Sequence, residues 1–285
     1  MKRTILKIAK PLVEQFPPLA RKYRKLRDSR HLKREPVLTP QGFRLVGNRS
    51  MEEGQFEREE TRLVSALLKD IDTVVDVGAN IGYYVCLARS RSKEVIAFEP
   101  IDTNLQILLR NIEANEWLDG IELFPLAVSD RTGFIRIFGG GTGASLIDGW
   151  AGVSKNYSKY VPTTTLDIVL RDRLVGKRSL FIVDVEGAET TVLAGACAQM
   201  SLTPRPFWLV EIIFSQHGGI GRNPHFLNAF EPFWRLGYAC WAANDSRQRI
   251  SKSMIIEMVR SGVDTLHCTN FLFADPKRAA EIEAG

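Results

Sequence analysis

A carboxylate and a glycine-rich turn lie close together in the stretch TVVDVGANIGYY, residues 73–84. Asp76 stands near the end of an apolar run, and Gly78, Asn80 and Gly82 follow at alternate positions. Turns of this composition between a strand and a helix bind dinucleotides, phosphates or nucleosides. The third glycine of the dinucleotide fingerprint G-x-G-x-x-G is missing, and no Gly-Lys-Ser/Thr follows as in a P-loop. Because the Asp76 carboxylate repels anions and attracts cations, the turn favours a positively charged ligand.

A second carboxylate ends the next apolar run, EVIAFEP. Glu99 lies 17 positions after Gly82, and a carboxylate about 20 residues beyond such a turn can accept hydrogen bonds from ribose hydroxyls. A positively charged nucleoside without a pyrophosphate describes S-adenosylmethionine. These residues therefore predict a site for this cofactor. The alternative is a strand-to-helix turn that binds no ligand.

Four further residues could remove a proton from a substrate. Asp184 and Glu186 lie in FIVDVEGAE, Glu211 lies in LVEII, and His217 lies in the glycine-rich SQHGGIG. Methyl transfer to a hydroxyl requires that the hydroxyl lose its proton, so each of the four is a candidate general base. The three carboxylates could instead share a divalent ion, as in catechol-type O-methyltransferases. That analogy rests on the fold alone, and we predict no metal.

Alternating strands and helices must position these residues. Five apolar runs read as strands, and helical periodicity lies between most of them; the runs are TVVDV, EVIAFEP, IELFPLAV, SLFIVDV and PFWLVEII. This alternation predicts an α/β fold with a parallel sheet, and YACWAA and TNFLFAD are expected as its last strands. After Asp130 the alternation lapses. We expect a hairpin and a glycine-rich loop over one end of the sheet, with residues 139–160 covering the acceptor pocket.

Five motifs in the same order resemble the FkbM-type methyltransferases: GQFEREETRLVSALLKDIDTVVDVGANIGYY, AFEP with the later Asn104, LAVSD, TTTLD and FIVDVEGAETTVLAGA. The similarity extends from about Gly54 to the C-terminus. It implies a class I methyltransferase (Rossmann-like) fold, a mostly parallel seven-stranded sheet with helices on both faces and a reversed last strand. It also implies S-adenosylmethionine as the cofactor and, usually, O-methylation of sugars or natural-product scaffolds.

The resemblance also implies cofactor contacts at named positions. Those around the methionine part of the cofactor are Asp76, Gly78, Asn80 and Gly82. Those around the nucleoside are Glu99 on the ribose with Asn104 nearby, Ala127 and Val128 on the adenine, and Ser129 as a further polar contact.

Positive charge is concentrated at the N-terminus. Residues 1–35 contain 12 Lys or Arg and 3 Asp or Glu, whereas the whole chain has a net charge of +5. The rest of the chain is therefore slightly acidic, which argues against a nucleic-acid groove. We expect a basic, partly helical extension over residues 1–50, either packed on the domain or in contact with an anionic membrane. The methyltransferase domain is expected over residues 51–285.

The sequence contains no secretory apolar segment and no apolar run of membrane-spanning length. We therefore expect a cytoplasmic protein that can contact a membrane peripherally. Its expected activity is S-adenosylmethionine-dependent methylation of a hydroxyl on a sugar, glycan or other small natural product. Two alternatives stay open: N- or protein methylation, since cofactor residues say little about the acceptor, and an inactive cofactor-binding or membrane-associated interaction protein.

Overall fold

The computed structural model describes residues 33–139, 144–147, 158–215, 221–279 and 282. The strands in these ranges are β1 (Val37–Leu38), β2 (Arg44–Leu45), β3 (Thr73–Val77), β4 (Glu94–Phe98), β5 (Ile121–Phe124), β6 (Ala127–Val128), β7 (Gly133–Phe138), β8 (Ser158–Thr164), β9 (Ser179–Val183), β10 (Phe207–Glu211), β11 (Ala239–Ala242), β12 (Arg249–Ile250) and β13 (Asn270–Ala274). The helices are α1 (Arg49–Glu52), α2 (Arg58–Leu67), α3 (Tyr83–Arg89), α4 (Asp102–Ala114), α5 (Leu166–Leu170), α6 (Glu189–Ala194), α7 (Cys197–Met200), α8 (Phe226–Arg235) and α9 (Lys252–Ser261). Among the helices of these ranges, none has the length and apolar character needed to cross a membrane.

The central sheet has eight strands within the described residues, in the order β12-β11-β13-β10-β9-β3-β4-β5. Strands β10, β9, β3, β4 and β5 run parallel, whereas β13 runs antiparallel to both of its neighbours. This is the class I methyltransferase order with its reversed strand, so the fold prediction is confirmed. The two-residue β12 adds an edge strand to the seven that were expected.

The two faces of this sheet carry separate apolar cores. On β3, Val74 contributes to the core shared with α2, α3 and α4, whereas Val75 and Val77 contribute to the core shared with α5, α6, α8 and α9. Helices therefore cover both faces, as expected. Strands buried on both sides read as continuous apolar runs, which explains why their positions were visible in the sequence.

The segment IELFPLAV, expected as one strand, forms two. β5 belongs to the central sheet, whereas β6 pairs with β8 in a second sheet of order β6-β8-β7. Pro125 separates the two strands because it has no N–H to donate to a ladder. The backbone turns there, and Leu126 N donates to Phe124 O at 2.9 Å. The hairpin expected after Asp130 is present as the antiparallel pair of β7 and β8.

Residues upstream of α1 pack on the same domain. β1 and β2 form a short hairpin, and Phe43 and Leu45 are fully buried in the core with α2 and α3. On α4, Asn111 accepts a hydrogen bond from Val46 N at 2.7 Å and donates to Val46 O at 3.2 Å. The packed chain therefore includes residues before position 51. Residues 1–32 of the expected basic, partly helical extension lie outside the described residues.

Candidate functional site

A cavity opens where β3, β4 and β9 end. Ligands of open α/β sheets bind at this carboxyl edge. The cavity is apolar where β4, β6 and β7 meet and acidic beyond the end of β9. Its lining consists of Val77, Gly78, Asn80, Phe98, Glu99, Pro100, Ile101, Asn104, Leu126, Ala127, Val128, Ile137, Ala144, Leu146, Asp184, Val185 and Glu186.

The glycine turn after β3 allows unusually close backbone contacts. Gly78 has φ +89°, and a Cβ at this position would lie 1.9 Å from the carbonyl oxygen of Asp184. Gly82 has φ +87° just before α3, and a Cβ there would lie 2.9 Å from Leu108 Cγ on α4. Glycine is therefore required at position 78 both by the backbone angle and by the loop that follows β9. At position 82 the main conflict would be with a side chain.

Glu99 is held at the cavity by hydrogen bonds to both neighbouring segments. It is 3% exposed. Its Oε2 accepts from Asn80 N at 2.8 Å, and its Oε1 accepts from Ile101 N at 2.7 Å and from Asn104 Nδ2 at 3.3 Å. Burial raises the pKa of Glu99 to about 7, against the opposing effects of these hydrogen bonds and of Lys159. The carboxylate is thus fixed in orientation between the glycine turn and the start of α4.

Asp76 lies beneath the turn and has an unsatisfied oxygen. It is 3% exposed, and among the described residues its Oδ2 has no hydrogen-bond partner. Burial is the main cause that raises the pKa of Asp76 to about 8, and the carboxylates of Asp184, Glu99 and Glu57 raise it further. A buried acceptor without a donor is costly. Asp76 is not itself a lining residue of the cavity; the next two residues, Val77 and Gly78, are.

Asp184 and Glu211 form a carboxyl pair at the acidic end. Asp184 is exposed at the cavity, whereas Glu211 is half-buried at the end of β10. Burial raises the pKa of Glu211 well above its ordinary value, and the charge of Asp184 and a hydrogen bond to it raise it further. The neutral form of Glu211 is therefore favoured beside Asp184.

Glu186 lies next to the described part of the covering loop. It has φ +53°, and its carbonyl oxygen accepts a hydrogen bond from Ser145 Oγ at 2.6 Å. Ala144 and Leu146 on either side of this serine line the cavity. Segment 144–147 therefore lies over the cavity, in the region where a covering loop was expected.

The predicted adenine contacts divide into two groups. Ala127 and Val128 line the apolar part of the cavity. Ser129 is completely buried and does not line it. Its hydroxyl accepts from Thr163 Oγ1 at 2.8 Å and donates to Arg131 O at 3.0 Å. The Ser129 hydroxyl therefore forms hydrogen bonds within the second sheet, and it does not reach the cavity.

Other predicted residues lie apart from the cavity or outside the described ranges. His217 lies outside the described residues, as do Trp150 and Tyr157, two aromatic residues of the expected covering loop 139–160. Tyr160, the last residue of that expected loop, is on β8 and is 71% exposed. In the part of the chain that the structure describes, no group of three or more His, Cys, Asp or Glu side chains is arranged to hold a metal ion.

Sequence patterns gave no indication of Glu57, Tyr84 and Lys159. Glu57 accepts a hydrogen bond from the Tyr84 hydroxyl at 2.7 Å and acts electrostatically on Asp76. Lys159 on β8 acts on Glu99. Glu57 and Tyr84 both lie within the first motif, but nothing in their local pattern distinguishes them from ordinary residues at the start of a helix.

Comparisons with known proteins identify one family. The family model described as "Methyltransferase FkbM domain" matches residues 76–240, which is more than half of the chain. Among curated proteins, none matches this chain.

Several solved methyltransferase structures are similar at low identity. An O-methyltransferase from Bacillus cereus in complex with SAH has 10% identity and a TM-score of 0.43, over 76% of this chain and 80% of that chain. A precorrin-6y C5,15-methyltransferase from Geobacter metallireducens has 10% identity and a TM-score of 0.39, over 68% and 83%. An SAH-bound methyltransferase from Podospora anserina has 11% identity and a TM-score of 0.37, over 75% and 76%. Because these scores are below 0.5, the similarity says nothing about the acceptor.

Proposed function

The chain belongs to the FkbM methyltransferase family, and we propose that it transfers the methyl group of S-adenosylmethionine to a hydroxyl of a sugar, glycan or other small natural product. The observation that carries this proposal is the polarity of the cavity. One end is apolar, the middle presents the fixed Glu99 carboxylate, and the other end presents the carboxylates of Asp184 and Glu186, with the buried Asp76 just before the lining residue Val77. An adenine, a ribose diol and a cationic amino-acid group follow each other in the same order in the cofactor.

Each part of the cavity supports one contact. Phe98, Val128 and Ile137 offer an apolar surface for a flat heteroaromatic ring. Glu99 can accept hydrogen bonds from ribose hydroxyls, since its orientation is already set by three donors. Behind the wall formed by Val77 and Gly78, the unsatisfied Oδ2 of Asp76 can accept one from an ammonium group.

The acidic end also supports proton removal. The cofactor, when bound, supplies an electrophilic methyl group on a sulfonium. Asp184 faces the same cavity and can accept the proton of an acceptor hydroxyl. Glu211 hydrogen-bonds to Asp184 and so orients its carboxylate. Glu186 is the second carboxylate of this wall.

The test separates cofactor binding from transfer. In calorimetric titration with S-adenosylhomocysteine, Glu99→Gln should weaken binding about 10- to 100-fold, because a charged acceptor is lost. Asp184→Asn should leave this affinity nearly unchanged and slow transfer to a hydroxyl acceptor about 10²- to 10⁴-fold. Glu94→Gln is the matched control, since Glu94 lies at the other end of the same strand and is exposed there.

Three results would overturn the proposal. Absence of binding by the unmodified protein would remove the cofactor assignment, and preferential binding of NAD would replace it. Full transfer activity of both Glu99→Gln and Asp184→Asn would show that the site residues are wrongly assigned.

A further inference from the structure

Glu57 is a carboxylate that does not line the cavity but interacts electrostatically with Asp184, which does. It immediately precedes α2 and has φ +38°, in the left-handed region that a non-glycine residue rarely adopts. Its side chain makes no capping hydrogen bond to α2. Instead, its Oε2 accepts a hydrogen bond from the Tyr84 hydroxyl at 2.7 Å. Glu57 thus combines a strained backbone with a side chain that contacts Tyr84 instead of capping α2.

Tyr84 connects Glu57 to the glycine turn. It is the second residue of α3, the helix that begins directly after Gly82. Phe56, the neighbour of Glu57, packs against the rings of Tyr83 at 4.9 Å and of Tyr84 at 6.3 Å. Glu57 is therefore anchored by a hydrogen bond and by aromatic packing to the element that forms the cofactor site.

The charges around Glu57 are negative. Burial raises its pKa to about 7, the Tyr84 hydrogen bond opposes this, and the carboxylates of Asp184 and Glu60 raise it further. Glu57 in turn acts on the buried Asp76. Three carboxyl groups from three separate elements, the turn before α2, β3 and the loop after β9, therefore lie close enough to repel one another.

A second observation indicates what this arrangement accommodates. Asp76 is 3% exposed, and within the described residues its Oδ2 has no donor. Repelling carboxylates and an unsatisfied buried acceptor are both costly in the ligand-free protein. A cation with several N–H groups relieves both costs, because it supplies opposite charge and hydrogen-bond donors together.

We propose that Glu57, oriented by Tyr84, binds the α-ammonium group of the cofactor together with Asp76. The inference rests on the proposed function and identifies residues that recognise the amino-acid end of the ligand. The ammonium group is the matching partner because it carries N–H donors, whereas the sulfonium has a positive charge but no donor. S-adenosylhomocysteine keeps the ammonium group and lacks the sulfonium charge, so a change in its affinity does not arise from the sulfonium.

Two ligands that differ in the amino-acid part test the inference. 5′-Methylthioadenosine has the adenosine and sulfur but no ammonium group. In calorimetric titrations, Glu57→Gln should weaken binding of S-adenosylhomocysteine about 10- to 100-fold and leave binding of 5′-methylthioadenosine unchanged. Tyr84→Phe should produce a smaller loss, about 3- to 10-fold, with the same ligand selectivity. Glu59→Gln is the matched control, since it removes the same charge from the first turn of α2.

The outcomes are distinguishable. Equal weakening of both ligands by Glu57→Gln would show a structural role and overturn the inference, as would unchanged binding of both. If the unmodified protein binds neither ligand, the proposed function itself fails and the inference falls with it. If Glu57→Gln does not fold, Tyr84→Phe decides alone: selective loss of S-adenosylhomocysteine binding supports the contact, and no selectivity rejects it.

Discussion

Buried carboxyl groups are the residues through which pH acts on this protein. Burial is the largest cause that raises the pKa of Asp76 to about 8 and that of Glu99 to about 7, whereas free carboxyl groups titrate near 4. Both groups therefore bind a proton more tightly in the folded chain than in the unfolded chain. Their contribution to stability is complete below about pH 4 and is lost as the pH rises through the folded pKa values.

We accordingly expect the melting temperature of the ligand-free protein to fall between about pH 6 and about pH 8. Asp76→Asn keeps the shape of the side chain without a charge. It should raise the melting temperature at the upper pH by about 2–4 °C or more, and it should flatten the pH dependence. Thermal unfolding monitored by circular dichroism across this range measures both effects.

Asp72→Asn is a control for which we expect the melting temperature to change in the opposite direction. The pKa of Asp72 is lowered, mainly by a hydrogen bond from the Arg178 backbone, so removal of this carboxylate should lower the melting temperature at the same pH. A lower melting temperature for Asp76→Asn at about pH 8 would contradict our account, since it would mean that the ionised form stabilises the ligand-free fold.

The glycine turn is positioned by contacts from three elements. Glu99 at the end of β4 accepts from Asn80 N at 2.8 Å. On α4, the fully buried Asn111 donates to Ile81 O at 2.8 Å. From the loop after β9, Asp184 N donates to Val77 O at 3.0 Å. The turn is therefore an assembled structure whose geometry depends on tertiary contacts as well as on its glycines.

We expect Gly78→Ala to disrupt this assembly. The added Cβ would lie 1.9 Å from the Asp184 carbonyl oxygen, which is backbone and can yield only if the two loops separate. Binding of S-adenosylhomocysteine should weaken more than about tenfold, and the free energy of unfolding should fall by more than the roughly 1–2 kcal/mol of backbone strain. Calorimetric titration and urea unfolding measure the two quantities.

Gly176→Ala is a control that has the backbone strain of a positive φ without a steric clash of the added Cβ. Gly176 has φ +76°, similar to that of Gly78, but a Cβ there would meet nothing within 4 Å. This control should therefore show only the strain and should leave ligand binding intact. Equal effects of the two substitutions would show that the close approach of the loops after β3 and β9 is not what requires glycine at position 78.

On the scale of the whole molecule, the basic N-terminal segment stands apart in composition from the domain. Residues 1–32 contain 10 Lys or Arg and 2 Asp or Glu. The chain joins the domain immediately afterwards, since Arg34 donates to Gly47 O at 2.8 Å and forms an ion pair with Glu52 at 2.7 Å. We propose that the protein is cytoplasmic and that this segment brings it to anionic membrane surfaces, where basic segments gain electrostatic attraction.

Deletion of residues 1–32 tests this proposal without removing Arg34. Co-sedimentation with vesicles of phosphatidylserine and phosphatidylcholine should decrease strongly for the shortened chain, and added salt should release the full chain because the attraction is electrostatic. Vesicles of phosphatidylcholine alone should bind neither form. Equal sedimentation of both forms with the anionic vesicles would favour a segment that does not contact lipid.

The sequence by itself determined the fold class and the position of several carboxylates along the chain. Strands β3, β4, β9 and β10 are apolar on both faces, so each was visible as a continuous run. Asp76, Glu99 and Asp184 lie at or just after the ends of such strands. Because parallel strands end at the same edge, the convergence of these carboxylates follows from the order of strands and helices in the chain. The cofactor class follows from that convergence and from the FkbM motifs.

Only the tertiary structure decided which polar groups share the site. Ser129 follows the two predicted adenine contacts in sequence, yet its hydroxyl is turned into the second sheet by Thr163. The sequence patterns also did not reveal helix α9, which is capped by Ser251 and ends at Gly262. They did not reveal the division of IELFPLAV into two strands either. The side chain of Glu57 is oriented by a hydrogen bond from Tyr84, which lies 27 positions away in the sequence. Periodicity records which face of an element is buried, whereas hydrogen-bond partners and charge neighbours depend on how distant elements pack.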